Sequence, residues 1–105
     1  MIKSSGLQAT TTTIYTGPCR LMGVSLTADE DKTLTIIVYP DTSATGTEVA
    51  FGRASGGNVA TDVEGGACNF NKKWTRDDNF ICDNGLHAVL SATDSGDYIV
   101  YYEDL

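Results

Sequence analysis

The segment that most constrains this chain is Thr33-Leu-Thr-Ile-Ile-Val-Tyr39, which alternates along its length and then meets Pro40. Successive side chains of an extended strand point to opposite faces. Leu34, Ile36 and Val38 therefore share one face, and Thr35, Ile37 and Tyr39 share the other. Pro40 has no amide hydrogen to offer a ladder and ends the strand. A strand with one continuous apolar face needs a second layer to bury it, and the rest of the chain offers strands rather than helices for that purpose. No window of a dozen residues keeps apolar positions at helical spacing.

Similar short runs recur, bounded by Gly, Asp, Asn and Ser. They predict strands over Thr10–Tyr15, Cys19–Leu26, Glu48–Gly52, Ala67–Asn71, Asn79–Cys82, Leu86–Ser91 and Tyr98–Glu103. With Thr33–Tyr39 this makes about eight short strands with turn signals roughly every 8–12 residues, the pattern of an antiparallel sandwich. The expected fold is all-β, a single antiparallel β-sandwich of jelly-roll or immunoglobulin-like type. Asn84-Gly85 carries the residue types of a type I′ turn, so Asn79–Cys82 and Leu86–Ser91 are expected to form a hairpin. Asp94-Ser-Gly96 supplies a further turn into the closing strand, making the last three strands a meander. Asp41–Thr47 and Ala54–Asn58 read as loops. Residues 1–6 are expected to be a flexible arm and residues 7–105 one domain, because neither half alone could build a core.

Composition narrows the use of such a fold. Seven Lys and Arg against fourteen Asp and Glu leave a net charge of −7, which repels a phosphate backbone and argues against nucleic acid as a partner. There is no apolar run long enough to span a membrane and no secretory leader pattern at the start. Cys19, Cys68 and Cys82 are odd in number and lack a C-x-x-C spacing. They read as reduced, mostly buried thiols of a protein assembled in cytosol, with one disulfide plus one free thiol as the alternative.

Reactive chemistry is sparse. His87 is the single histidine, and it falls in a predicted strand without an activating frame, so a surface-facing strand histidine is expected rather than a general base. Asp29-Glu-Asp31 and Asp77-Asp78 are the densest carboxylates. Asp41–Thr47 lacks the alternating oxygen ligands and terminal Glu of an EF-hand, so no metal is expected. Gly56-Gly57 and Gly65-Gly66 lack the Lys-Ser/Thr that would follow in a phosphate loop. No cofactor is expected.

One cluster stands out against the acidic background. Phe70-Asn-Lys-Lys-Trp-Thr-Arg76 gathers three of the seven basic residues around the single tryptophan. Trp and Arg are favoured at the buried centres of protein interfaces. Lys72, Lys73, Trp74 and Arg76 are therefore candidate interface residues, alongside the reading in which Trp74 folds back on its own sandwich. Tyr101 and Tyr102, near the end of the closing strand, are further candidates because tyrosine supplies rigid amphipathic contact area.

Three blocks together resemble small virion structural proteins of tailed bacteriophages. They are Thr16-Gly-Pro-Cys-Arg-Leu-Met-Gly-Val-Ser-Leu26; Leu34 to Val49 with its Pro-Asp-Thr turn; and Asn84-Gly-Leu-His-Ala-Val-Leu90 leading to Tyr98-Ile-Val-Tyr-Tyr102. The resemblance covers about two-thirds of the chain and leaves Ala67–Asp78 unmatched. It implies a β-sandwich that decorates or cements a phage capsid, without catalytic residues. The implied partners are the major capsid protein and further copies of the chain, as a homotrimer, on a virion assembled in the host cytoplasm. The runner-up is a tail or fibre module binding host carbohydrate through Trp74, Arg76 and Asp77. A small hydrolase using His87 comes third.

Overall fold

The computed structural model describes residues 2–29, 32–56, 69–93 and 95–105, and among these described residues there are nine strands. They are β1 Ile2–Ser4, β2 Thr12–Thr16, β3 Cys19–Ala28, β4 Thr33–Tyr39, β5 Ala50–Ser55, β6 Phe70–Lys73, β7 Ile81–Cys82, β8 Gly85–Leu90 and β9 Gly96–Asp104. One sheet, here sheet A, has the order β1-β9-β3-β6, with the short β7 also on β3. The other, sheet B, has the order β2-β8-β4-β5. All pairings are antiparallel.

The order follows from folding the chain once on itself. β1 pairs with β9, β2 with β8, β3 with β6 and β7, and β4 with β5, as in one long doubled ribbon. Rolling that ribbon brings β9 against β3 and β8 against β4. Of the two expected sandwich types, this is the jelly-roll order. The all-β expectation holds, and the strand at Thr33–Tyr39 lies where the alternation put it. Leu34, Ile36 and Val38 are all buried, whereas Thr35, Ile37 and Tyr39 are not.

The core is one cluster drawn from both sheets. Leu21, Val24 and Leu26 from β3, with Tyr98 and Val100 from β9, face Leu34, Ile36 and Val38 from β4 and Leu86 and Leu90 from β8. Burying such side chains is worth roughly 1.5–3 kcal/mol each, and it fixes the register of each strand. Tyr98 satisfies its buried hydroxyl by donating to the Thr10 carbonyl at 2.7 Å.

Several expectations are corrected. Ile2–Ser4 is not a loose arm: it pairs with β9, Ile2 opposite Glu103 and Ser4 opposite Tyr101. Asn84-Gly85 is not the tip of a hairpin. β7 belongs to sheet A and β8 to sheet B, so this dipeptide carries the chain across the sandwich and the last three strands are no meander. Asn84 lacks the positive φ of a type I′ turn, and Gly85 has φ +145°. A Cβ at Gly85 would fall 2.3 Å from the Tyr15 carbonyl oxygen, so β2 and β8 can approach only where the side chain is absent. Burial decides the outcome: Cys82 is buried beside β3, while Leu86, Ala88 and Leu90 are buried in sheet B.

Smaller shifts concern strand ends. Ala54 and Ser55, placed in a loop by sequence, continue β5, and Ala54 is buried. The expected strand at Ala67–Asn71 is seen from Phe70 and runs on to Lys73. Ala67, Cys68, Gly57, Asn58, Gly65-Gly66, Glu30-Asp31 and Asp94, on which other expectations fell, lie outside the described residues. No helix among the described residues is long and apolar enough to cross a membrane.

Candidate interaction surface

The outward face of sheet A is shaped by a bulge in β3. Leu21 is paired with Tyr102 and Gly23 with Tyr101, leaving Met22 as an extra residue on the bulged strand. Leu21 joins the inter-sheet core, but Met22 stays outside that cluster and lines an open groove instead. Gly23 lets the neighbouring strands close in, with the Lys72 carbonyl 3.2 Å and the Tyr101 ring 3.4 Å from where a Cβ would sit.

The groove holds about 340 Å³ and is lined by Ile2, Met22, Lys73, Trp74 and Tyr101. Each wall comes from a different element. Ile2 is carried by edge strand β1, Met22 by the bulge, Tyr101 by β9, and Lys73 by the last position of β6. Trp74 follows directly and is tied down by its amide, which donates to the Met22 carbonyl at 2.9 Å. Its ring meets Phe80 edge-to-face, with centroids 5.2 Å apart and planes at 61°. That geometry is favourable for aromatic pairs and holds the indole in place.

Two residues along β9 from Tyr101, a charge cluster centres on Glu103. Arg20 Nη1 donates to Glu103 Oε1 at 2.6 Å. Arg76 Nε donates to both carboxylate oxygens at 3.1 Å, and Arg76 Nη2 also donates to Oε2. Arg76 chiefly, with Arg20 behind it, overcomes the cost of burial and holds the Glu103 carboxyl down to about 2. At the rim, Lys3 Nζ donates to Asp104 Oδ2 at 3.1 Å in an exposed pair, which contributes little to stability.

The six candidate residues thus separate. Lys73, Trp74 and Tyr101 come together in the groove. Arg76 is turned to Glu103. Lys72 is exposed and, one residue from Lys73 on the same strand, projects from the opposite face of β6. Tyr102, on the reverse side of β9 from Tyr101, packs beside the core with its ring 5.0 Å from that of Tyr15. Sequence reasoning missed Ile2 and Met22. The signal for Met22 was present, since a glycine inside a strand pattern marks a bulge.

Other candidates sit elsewhere. His87 lies on sheet B, opposite Thr13 and Tyr39, with Nδ1 3.0 Å from Thr13 Oγ1. The Thr13 hydroxyl donates to the Thr42 carbonyl at 3.1 Å, which leaves its oxygen to accept from His87 Nδ1–H. Asp78 accepts from the Thr75 amide at 2.7 Å across the 3₁₀ turn Arg76–Asp78. Among the described residues, no three His, Cys, Asp or Glu side chains gather into a metal-binding group.

Fold and surface together define a jelly-roll sandwich with a lined groove on one face. No protein-family model, curated protein or solved structure matches the chain.

Proposed function

We propose that this chain is a non-enzymatic virion structural protein, a capsid decoration or cement subunit that docks on a phage head through the outward face of sheet A. The observation that carries the reading is the groove of Ile2, Met22, Lys73, Trp74 and Tyr101, an aromatic and aliphatic surface built from four separate segments. Buried aromatic anchors with a polar rim are what protein interfaces use for affinity.

Charge points to the chemistry of the partner. Five of the seven Lys and Arg residues, namely Lys3, Arg20, Lys72, Lys73 and Arg76, lie on sheet A or on the edge segment beside it. Arg20 and Arg76 are engaged by Glu103 and Lys3 by Asp104, so Lys73 is the basic group of the groove, and it fits an apolar partner surface with a carboxylate at its edge. The partners in this reading are the major capsid protein and sister copies in a homotrimer, where repeated weak contacts add up. The resemblance of the three sequence blocks to phage virion proteins, and the use of jelly rolls in viral capsids, support it.

The test is co-sedimentation of the purified chain with capsid shells that lack it. Binding is expected, with loss on Trp74→Ala or Tyr101→Ala and retention on Phe51→Ala, a residue exposed on β5 in the other sheet. A strict monomer that ignores the shells overturns the reading. Carbohydrate binding by a tail or fibre module is the alternative, and glycan-array binding lost on Trp74→Ala would favour it. It is ranked second because the Arg76 guanidinium it would use is already engaged by Glu103.

A further inference from the structure

Sheet A has a split edge, and the split brings two thiols together. Cys19 opens β3, Cys82 closes β7, and the register sets them directly opposite one another. Opposed residues in an antiparallel pair have Cα atoms about 4.5–5.5 Å apart, within the roughly 4.4–6.8 Å that a disulfide bridges. Both are free thiols, and both are fully buried in the core. Neither contributes to the groove.

The pair is chemically unequal. A hydrogen bond between the two thiols pushes Cys19 up, and burial adds to the effect. The same hydrogen bond pulls Cys82 down, against burial. Cys82 is therefore the better source of a thiolate, the reactive form in disulfide exchange. It also sits on the weaker element. β7 is two residues long, lies at a sheet edge, and its other residue, Ile81, is 36% exposed. Lifting it from β3 breaks few backbone hydrogen bonds, so local opening can admit a reagent without global unfolding.

We propose that Cys19 and Cys82 form a latent dithiol site that a small-molecule disulfide of the glutathione class converts into a cross-strand bond clamping β7 to β3. In the first step the Cys82 thiolate attacks one sulfur of the small disulfide, and its S–S bond breaks to release one thiolate. In the second, the Cys19 thiolate attacks Cys82 sulfur and expels the other half. The two protein thiol protons end on the two released small thiols. The protein pair is oxidised by two electrons, and the small disulfide is reduced by two. The clamp closes a long loop that contains the Trp74 and Phe80 pair, so it removes freedom from the segment that forms one groove wall.

The experiment incubates the native full-length chain with oxidised glutathione, blocks residual thiols and maps the products by mass. The expected product has lost two hydrogens, contains a peptide joining Cys19 to Cys82, and melts roughly 10 °C above the reduced form. Cys68→Ser should leave that product unchanged, and Cys82→Ser should abolish it. Dithiothreitol should reverse the gain in the oxidised protein and leave the melting of the reduced protein alone. A bridge that uses Cys68, a persistent glutathione adduct without a bridge, or oxidation seen only in denaturant would each overturn the proposal.

Discussion

Phe70 lays its ring directly over Gly52, joining edge strand β6 of sheet A to edge strand β5 of sheet B. A Cβ on Gly52 would stand 2.4 Å from Phe70 Cδ2 and 2.7 Å from Cγ, so the whole ring occupies the place of a side chain. Gly52 is buried and flanked on its strand by exposed Phe51 and Arg53. The contact closes one side of the sandwich, where the edge strands β6 and β5 end the two sheets.

Gly52→Ala should therefore cost about 1–3 kcal/mol, the usual penalty for overpacking a filled site. Pairing it with Phe70→Leu should recover part of the loss, because the smaller side chain vacates the space. Chemical denaturation of the two single variants and the double variant measures the coupling. Additive losses would mean that the ring does not press on the glycine.

The crossing at Asn84-Gly85 separates two kinds of turn. Gly85→Ala should destabilise by about 2 kcal/mol or more, since it combines a positive φ with a collision against the Tyr15 carbonyl. Asn84→Ala should stay within about 0.5 kcal/mol, because Asn84 is exposed and uses its backbone carbonyl, not a left-handed conformation, to accept from the Gly17 amide. A type I′ hairpin would have made both residues costly. Thermal melts of the two variants distinguish the cases.

Glu103 sets an acid limit. Its folded carboxyl is held down to about 2, below its ordinary 4.5. In that interval the unfolded chain binds the extra proton and the folded one does not, so stability rises with pH. The contribution is present in full above 4.5 and is lost as pH falls through 2. Glu103→Gln should lower the melting temperature at neutral pH and flatten its dependence on pH between those values. An unchanged slope would show that Arg76 and Arg20 do not hold the carboxylate in solution.

Much of the fold is legible in the residues themselves. Alternation at Thr33–Tyr39, and the apolar positions Leu21, Val24, Leu26, Leu86 and Leu90, state which faces are buried, and burial is what these strands were selected to satisfy. Strand partners are less legible. Asn84-Gly85 has the local chemistry of a hairpin, yet which strand receives Cys82 is decided by the core on the far side of β3. β1 is invisible for a different reason: all three of its residues are exposed, so it has no polarity pattern, and its pairing with β9 is what defines it.

The candidate surface divides along the same line. Lys73, Trp74 and Tyr101 are recognisable by residue type, and their neighbours are not. Glu103 lies 27 positions from Arg76 and 83 from Arg20, and no local spacing encodes a triad of that range. Tyr101 and Tyr102 look equivalent in sequence. The pleat sends one to the groove and the other to Tyr15.

The antiparallel union of β1 with β9 has a mechanical consequence. Ile2 lies opposite Glu103, so a tug on the two ends in opposite directions loads the first hydrogen bonds of that pair before the next ones. The strands then part like a zipper rather than resisting together in shear. A domain built this way yields to tension applied between Ile2 and Glu103 one hydrogen-bonded pair at a time.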